Sequence, residues 1–223
     1  MKKYAVIVAG GSGVRMGSSI PKQFLLLNCK PIIVYSLQSF LHAFNDIEII
    51  LVLPENYIAE GKRIITAFGF FDQNIKIVSG GPTRFHSVQN GLKEIKNEAV
   101  VFIHDAVRCL VSADLIQRCY HQTIELGSAI PAITATDSIR MEKENYPEAV
   151  DRNLVKIIQT PQTFLSNILL PAFEQQYQET FTDEATVVEA FGKHIFLIEG
   201  EKNNIKVTTP IDLIVAENLL LQL

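Results

Sequence analysis

The stretch YAVIVAGGSG, from Tyr4 to Gly13, places six apolar residues directly before a glycine-rich turn. Short continuous apolar runs of this kind are typical of strands that are buried on both faces of a parallel sheet. Similar runs recur along the chain at Ile47–Leu53, Ile75–Val78, Ala99–Ile103 and Ala129–Ile133. The first apolar run therefore predicts the opening strand of a sheet that is covered on both sides.

Helical patterns separate these predicted strands. They span Ile32–Phe44, Ala59–Phe68, His86–Ile95 and Ala113–Leu126. The last pattern is bracketed by Ser112, which suits a helix N-cap, and by Gly127, which suits the position after a helix end. Regular alternation of strands and helices predicts an α/β fold with a Rossmann-like, mostly parallel sheet flanked by helices.

The alternation breaks at a polar segment from Thr136 to Asn153. The turn signal Asn145-Tyr146-Pro147 lies inside it, so we expect a hairpin that projects from the sheet. A two-stranded hairpin is unstable alone, and a second subunit is the natural surface for it to pack on. After it we predict a strand at Val155–Gln159, helices at Leu165–Tyr177 and Asp183–Phe191, a strand at Ile195–Glu199 and a helix from Thr209-Pro210. Without repeats or linkers, residues 1–223 are expected to form one domain with an arm at about 136–153.

Composition excludes several functional classes. The chain has 223 residues, 48% of them hydrophobic, so it can bury a sizeable core, and its net charge of −4 argues against a nucleic-acid partner. Its three cysteines are an odd number without CxxC spacing, which indicates neither a disulfide framework nor a zinc site. The first apolar run is too short for a signal peptide or a membrane span, so we expect a cytoplasmic protein without a membrane partner.

The glycine-rich turn after the first strand suits an anion-binding loop, because glycines let backbone N–H groups approach phosphate oxygens. It is not a Walker A loop, since no lysine followed by serine or threonine comes after Gly17, and a GxGxxG fingerprint fails at Met16. Two cations follow closely, Arg15 and Lys22. A loop of this kind with nearby cations suits a triphosphate whose negative charge grows during reaction.

Asp105 follows the apolar run of the fourth predicted strand, where ligands of α/β sheets bind. Mg²⁺ prefers one or two carboxylates together with phosphate oxygens and water, so one aspartate is enough to make a metal site with a nucleotide. We interpret the neighbouring His104 as structural. Lys206, just before the final predicted helix, has a flexible point charge that suits phosphate capture.

Motifs of one known family occur in order along nearly the whole chain. They are Ala9 to Gly17, Pro21-Lys22-Gln23, Gly80-Gly81 with Arg84 and Ser87-Val88, His104 to Arg108, Asp151-Arg152, Gln159 to Gln162, Thr182 to Ala185, and Asn204 to Thr208. In this set the chain resembles the 2-C-methyl-D-erythritol 4-phosphate cytidylyltransferases of isoprenoid precursor synthesis. The resemblance implies an enzyme that transfers a cytidylyl group from the co-substrate CTP to this sugar-alcohol phosphate and releases pyrophosphate.

The resemblance also implies residue roles. The catalytic residues would be Arg15, Lys22, Arg152 and Lys206. Nucleotide binding would fall to Ala9, Gly10, Gly11, Gly13, Gly80, Gly81, Ser87 and Asp105, with Asp105 also binding Mg²⁺. The acceptor would contact Ala106, Arg108, Ser138, Thr160 and Thr182. The arm would be exchanged across a homodimer, so that Arg152 would serve the site of the neighbouring subunit.

Three positions depart from the family pattern: Cys109 replaces a common proline, Ser138 a usual threonine, and Val107 a more usual alanine. Serine keeps the hydroxyl, so a hydrogen bond to phosphate survives. Two alternatives stay open from the sequence. A ribitol-5-phosphate cytidylyltransferase would share fold and mechanism but use another acceptor, and an NAD-binding oxidoreductase is disfavoured by the failed glycine spacing.

Overall fold

The computed structural model describes residues 1–11, 20–70, 73–144 and 146–222. In chain order its strands are β1 (Lys2–Val8), β2 (Leu26–Leu27), β3 (Lys30–Pro31), β4 (Glu48–Leu53), β5 (Ile75–Ser79), β6 (Ala99–Asp105), β7 (Ser128–Thr134), β8 (Ile139–Met141), β9 (Glu148–Val150), β10 (Lys156–Ile158), β11 (Gln162–Leu165) and β12 (Leu197–Glu199). Its α-helices are α1 (Ile32–Ala43), α2 (Ile58–Ala67), α3 (Arg84–Leu92), α4 (Ala113–Leu126), α5 (Ser166–Ala172), α6 (Glu184–Ala190) and α7 (Pro210–Leu220). Apart from the two-residue strands β2 and β3, which were not predicted, the strands and helices alternate as the sequence predicts through α4.

An eight-stranded sheet lies at the centre of this part of the chain, in the order β10-β7-β11-β6-β1-β4-β5, with β12 beside β7. Strand β1 pairs in parallel with both β4 and β6, and β4 pairs in parallel with β5. Strands β10 and β11 are antiparallel to β7, and β11 is also antiparallel to β6. The predicted α/β fold with a mostly parallel, Rossmann-like sheet is confirmed.

Both faces of the sheet are buried, which explains the continuous apolar runs. In β1, Ala5 and Ile7 belong to one hydrophobic cluster, whereas Tyr4, Val6 and Val8 belong to the other. Because successive side chains of a strand point to opposite faces, a strand covered on both sides has no polar face. The opening apolar run therefore has the environment that its composition predicts.

Helix caps are located where the sequence indicates them. The Ser112 hydroxyl accepts a hydrogen bond from the Leu115 N–H at 3.0 Å, and Gly127 ends the same helix with φ of 90°. Helix α3 begins earlier than predicted, at Arg84, because the side chain of Thr83 caps it. These local hydrogen bonds fix where each helix starts and stops.

One predicted helix is wrong in extent. Helix α5, Ser166–Ala172, begins one residue later and ends five residues earlier than the predicted span Leu165–Tyr177, and the strand before it, β11, was not predicted. The residues Gln162–Leu165 pair with β6, and Phe164 is fully buried (0% exposed). A short apolar segment is compatible with either a strand or a helix, and here pairing with β6 decides for the strand.

The carboxyl ends of four parallel strands, β1, β4, β5 and β6, are joined by main-chain hydrogen bonds. The N–H of Ala9 donates to Val52 O at 2.9 Å, and the N–H of Ala106 donates to Val8 O at 3.0 Å. The N–H of Gly80 donates to Leu53 O at 2.8 Å. The turns that follow β1, β5 and β6 therefore meet at one edge of the sheet.

The predicted arm contains a hairpin in which β8 pairs antiparallel with β9. It forms a two-stranded sheet separate from the central one. Large apolar side chains are exposed on and beside it, including Met141 (54%), Tyr146 (68%) and Leu154 (80%). Within the described ranges, no helix has the length and apolar character needed to cross a membrane.

Candidate active site

A cleft of about 520 Å³ opens at the carboxyl edge of β1, β4, β5 and β6. Nine of the predicted site residues line it. They are Ala9, Gly10, Gly11, Lys22, Gly80, Gly81, Ser87, Asp105 and Lys206. The predictions for Gly13 and Arg15 lie outside the described residues. Ligands of open α/β sheets bind at this edge, so the fold places these residues where a nucleotide would be expected.

Asp105, the last residue of β6, binds two cationic side chains. Lys206 Nζ lies 2.7 Å from one carboxylate oxygen, and Arg84 Nε lies 3.1 Å from the other. Arg84 also makes a bidentate contact with Glu184, at 2.5 and 3.0 Å. Glu184 is 1% exposed, so Arg84 links a buried carboxylate to the one that lines the cleft.

The two cations keep Asp105 ionised. Burial alone would raise the pKa of this carboxyl, but Arg84 and Lys206 outweigh burial and hold the pKa well below its ordinary value. Burial raises the pKa of Glu184, and the contact with Arg84 opposes that rise. Asp105 therefore presents a permanent negative charge to the cleft, and Lys206 a positive charge beside it.

A chain of hydrogen bonds fixes the backbone of Asp105. Its N–H donates to the Thr160 hydroxyl oxygen at 3.1 Å, and that hydroxyl lies 3.0 Å from Nδ1 of His104. The opposite ring nitrogen, Nε2, lies 3.2 Å from the carbonyl oxygen of Arg108. This carbonyl only accepts, which assigns the ring proton to Nε2 and leaves Nδ1 to accept from Thr160. Burial lowers the pKa of His104 to about 3, so the ring is neutral, in keeping with its predicted structural role.

Lys22 lies on a 3₁₀ turn, Lys22–Phe24, and is 8% exposed. A Cβ added to Gly11 would lie 3.2 Å from Cε of Lys22, so the lysine stem passes directly beside the glycine turn. A larger residue at position 11 would press on this stem. Glycine here brings a cation and a bare backbone together, which suits a phosphate group.

The turn after β5 also depends on a glycine, because a side chain there would not fit. A Cβ on Gly81 would lie 2.5 Å from Cβ of His86, which no real side chain allows. The N–H of Gly81 donates to the Ser87 hydroxyl oxygen at 3.0 Å, and this hydroxyl donates to Thr83 O at 2.9 Å. The turn therefore packs closely against α3, and its two glycines present only backbone atoms to the cleft.

The predicted acceptor contacts are not gathered in this cleft within one chain. Ala106 is buried, and Thr160 faces the interior, where it holds Asp105. Arg108 donates to the carbonyl oxygens of Asn204 (2.8 Å) and Ile158 (3.2 Å). These three residues make contacts within the fold and are not among the residues that line the cleft.

The other acceptor residues are exposed and lie elsewhere. Thr182 is located just before helix α6, and Ser138 lies at the start of the arm. Arg152 lines a different groove of about 680 Å³, between the arm and the edge of the sheet, and donates to Thr136 O at 2.9 Å. Of the predicted catalytic residues that the structure describes, Lys22 and Lys206 share a cleft and Arg152 does not.

The carboxylates that line the cleft test whether the predicted Mg²⁺ ion could bind there. Among the described residues, no group of three or more His, Cys, Asp or Glu side chains could hold a metal ion. The carboxylates that line the cleft there are Asp105 and Glu55. Mg²⁺ takes one or two carboxylates and fills its shell with phosphate oxygens and water. The residues are therefore compatible with a Mg²⁺ ion that would arrive with a nucleotide and would take Asp105 as its protein ligand.

Sequence reasoning missed two residues of this site, Arg84 and Glu184, as functional partners. Arg84 was recognised only as part of a motif. Its partner lies 100 residues further along the chain, on a different helix. Glu184 was likewise recognised only as part of the motif Thr182 to Ala185, and an acidic residue at the start of a helix is also explained by the helix dipole.

Comparison with known proteins agrees with the fold. A family profile described as 2-C-methyl-D-erythritol 4-phosphate cytidylyltransferase matches residues 4–222. A protein of that name from Bacteroides fragilis is 44% identical over 221 residues, covering 99% of this chain and 100% of the relative. One from Phocaeicola vulgatus is 42% identical over 220 residues, covering 99% of this chain and 100% of the relative.

A solved structure is similar over nearly the whole chain. The crystal structure of 4-diphosphocytidyl-2C-methyl-D-erythritol synthase from Anaerococcus prevotii matches with a TM-score of 0.85 and 27% identity, covering 99% of this chain and 96% of that one. The resemblance inferred from the motifs is thereby confirmed in sequence and in fold. This chain belongs to the 2-C-methyl-D-erythritol 4-phosphate cytidylyltransferase family of nucleotidyltransferase enzymes.

Proposed function

We propose that this chain transfers a cytidylyl group from CTP to 2-C-methyl-D-erythritol 4-phosphate, releasing pyrophosphate and forming 4-diphosphocytidyl-2-C-methyl-D-erythritol. One observation carries the proposal beyond family membership. Two lysines, Lys22 and Lys206, face one glycine-lined cleft together with the ionised carboxylate of Asp105. We take the chain as one catalytic domain with the hairpin as its arm.

The chemistry requires little beyond this set. A phosphate monoester has its second pKa near 6, so the acceptor is largely dianionic at neutral pH. The acceptor oxygen attacks the α-phosphorus of CTP, the bond to the β-phosphate oxygen breaks, and pyrophosphate takes the bonding pair. Because the nucleophile is already ionised, no general base is needed. The barrier is mainly repulsion between two anions, which cations and backbone N–H groups reduce.

The described residues divide this task. Lys22 and the backbone of Gly10 and Gly11 would hold the triphosphate, and the turn at Gly80-Gly81 would hold the base. Lys206 would attract the acceptor phosphate and bring it next to the α-phosphate. Mg²⁺, with Asp105 as its ligand, would neutralise charge on the triphosphate. Arg15 would add a further cation at the transition state.

The arm motivates the proposal of a homodimer. Ser138 and Arg152 belong to the predicted acceptor and catalytic residues, yet they do not line the cleft of their own chain. Arm exchange would bring both into the cleft of a partner and would cover the apolar side chains of the arm. Mass measurement in solution tests this, and a monomer at the concentration of the activity assay would contradict it.

We also place the enzyme in the cytoplasm, acting on small molecules without nucleic-acid or membrane partners. All three cysteines are free, and a reducing compartment keeps thiols in that form. The net charge of −4 leaves no general attraction for a polyanion.

The direct test is pyrophosphate release with CTP, ATP, GTP and UTP, each paired with 2-C-methyl-D-erythritol 4-phosphate or with ribitol 5-phosphate. We expect release only with CTP and the methylerythritol phosphate. Pyrophosphate release with ribitol 5-phosphate in place of the methylerythritol phosphate would show that the proposed acceptor is wrong and that the cytidylyl transfer itself is right. Equal release with all four nucleotides would contradict base reading by the Gly80-Gly81 turn.

A further inference from the structure

Gln23 is a buried amide without hydrogen-bond partners. The residue is 0% exposed and lines the cleft beside Lys22. Within the part of the chain that the structure describes, neither its amide nitrogen nor its amide oxygen has a hydrogen-bond partner. Buried polar side chains are almost always paired, because an unpaired buried donor or acceptor costs free energy. This residue therefore needs a specific explanation.

The backbone around Gln23 is well fixed, so a poorly held segment does not explain the missing partners. The N–H of Phe24 donates to Pro21 O at 2.9 Å, and the N–H of Leu25 donates to Lys22 O at 3.1 Å. The Phe24 ring packs against Tyr57 with centroids 5.5 Å apart. These contacts fix the backbone of this residue where it lines the cleft.

The other buried glutamines of the described chain show what the fold normally provides. Gln159 donates to Glu201 O at 2.7 Å and accepts from the Glu201 N–H at 3.1 Å. Gln162 donates to a carboxylate oxygen of Asp183 at 2.9 Å and accepts from the Ala185 N–H at 2.8 Å. Both ends of each amide are satisfied inside the protein. Gln23 differs from them in being a residue of the cleft wall with both ends of its amide unpaired.

We propose that Gln23 is a nucleotide-binding residue whose amide is paired only when CTP occupies the cleft. Its NH₂ group donates to a phosphate oxygen of the nucleotide held beside Lys22 and Gly11. Phosphate oxygens only accept, so they cannot satisfy the amide oxygen. That oxygen accepts from a hydroxyl group of the nucleotide ribose. This inference rests on the proposed function and adds a positioning group for the donor nucleotide.

The proposal predicts a combination of effects that a structural glutamine would not give. Gln23→Met keeps the length of the side chain and removes both unpaired groups, so the nucleotide-free protein should melt at the same temperature or higher. The same change removes a hydrogen bond to a charged ligand, and the Kd for CTP should rise about 10- to 100-fold. Gln23→Glu removes the donor and adds a negative charge, so it should weaken CTP binding at least as much.

Gln159→Met provides a matched control, because it removes an amide of the same size that is satisfied at both ends. We expect it to lower the melting temperature of the nucleotide-free protein, the reverse of Gln23→Met. The experiment measures melting temperature without nucleotide, the Kd for CTP by calorimetry, and the KM for the acceptor in turnover. For Gln23→Met, the KM for the acceptor should change less than the Kd for CTP.

An unchanged Kd for CTP in Gln23→Met would overturn the proposal. So would a raised Kd accompanied by a fall in melting temperature as large as that of Gln159→Met, because this result would assign Gln23 to the fold. Failure of the proposed function is recognised separately, by absence of CTP binding and turnover in the unaltered protein.

Discussion

Removal of Arg84 should destabilise the protein far more than its partial exposure suggests. The Arg84 side chain is 30% exposed, but its partner Glu184 is 1% exposed and bound through both carboxylate oxygens. Arg84→Met would leave that carboxylate buried without a cation. Breaking a buried pair in this way costs about 3–5 kcal/mol, and we expect the lower end because solvent reaches Arg84. For a chain of this size, about 3 kcal/mol corresponds to a melting temperature lower by about 6–12 °C.

The pH dependence identifies the cause. Without Arg84, nothing opposes the rise that burial causes in the pKa of Glu184. A group whose pKa is higher in the folded state than in the unfolded state binds a proton more readily when folded. The destabilisation of Arg84→Met should therefore shrink as pH falls and grow as pH rises.

Urea unfolding of Arg84→Met, Glu184→Gln and the double variant at several pH values measures these effects. The double variant should lose about 1–3 kcal/mol less than the sum of the single losses, because the two side chains contact each other. Arg63→Met removes an exposed pair with Glu60 and should change stability by no more than about 0.5 kcal/mol. A loss below about 1 kcal/mol for Arg84→Met, independent of pH, would refute a buried ionised Glu184.

Two further predictions concern other parts of the fold. Asn28 and Cys29 form the two-residue turn between β2 and β3 with φ of 44° and 64°, so Cys29→Gly should raise the free energy of unfolding by about 0.5–1 kcal/mol in urea titration. A lower free energy of unfolding for Cys29→Gly would show that contacts of the cysteine side chain stabilise the fold more than its positive φ destabilises it. The pKa of His104 is lowered to about 3, so stability present above about pH 6.5 should be lost as pH falls towards 3. His104→Gln cannot ionise at this position, so its free energy of unfolding should fall less steeply over that pH range. Parallel curves of unfolding free energy against pH for the two proteins would contradict a neutral, buried His104.

The parts of the fold that could be predicted are those encoded in contiguous residues. The run that forms β1, the glycines after it and Asp105 at the end of β6 are local patterns, and each has a local meaning. Periodicity predicts which strands are buried on both faces, and the ends of parallel strands meet by geometry. For these reasons the position of the cleft followed from the sequence.

The parts that could not be predicted depend on distant residues. Nothing local shows that Arg84 binds Glu184, or that the amide of Gln23 lacks partners, because both facts depend on which side chains the fold brings near. Strand β11 was missed for the same reason, since its pairing with β6 and β7 depends on residues far away in the sequence. The proposed role of Arg152 depends on a second chain, which no pattern within one sequence describes.

The central claim is that cations beside the glycine turn allow two phosphates to meet, and Lys22 tests it most directly. Lys22→Met keeps the length of a side chain that is 8% exposed and removes only its charge, and Lys62→Met does the same at an exposed position on α2. With saturating CTP and acceptor, we expect turnover of Lys22→Met to fall about 10²- to 10³-fold or more, with Lys62→Met unchanged. Folded Lys22→Met protein that turns over within a fewfold of the unaltered enzyme would contradict the claim.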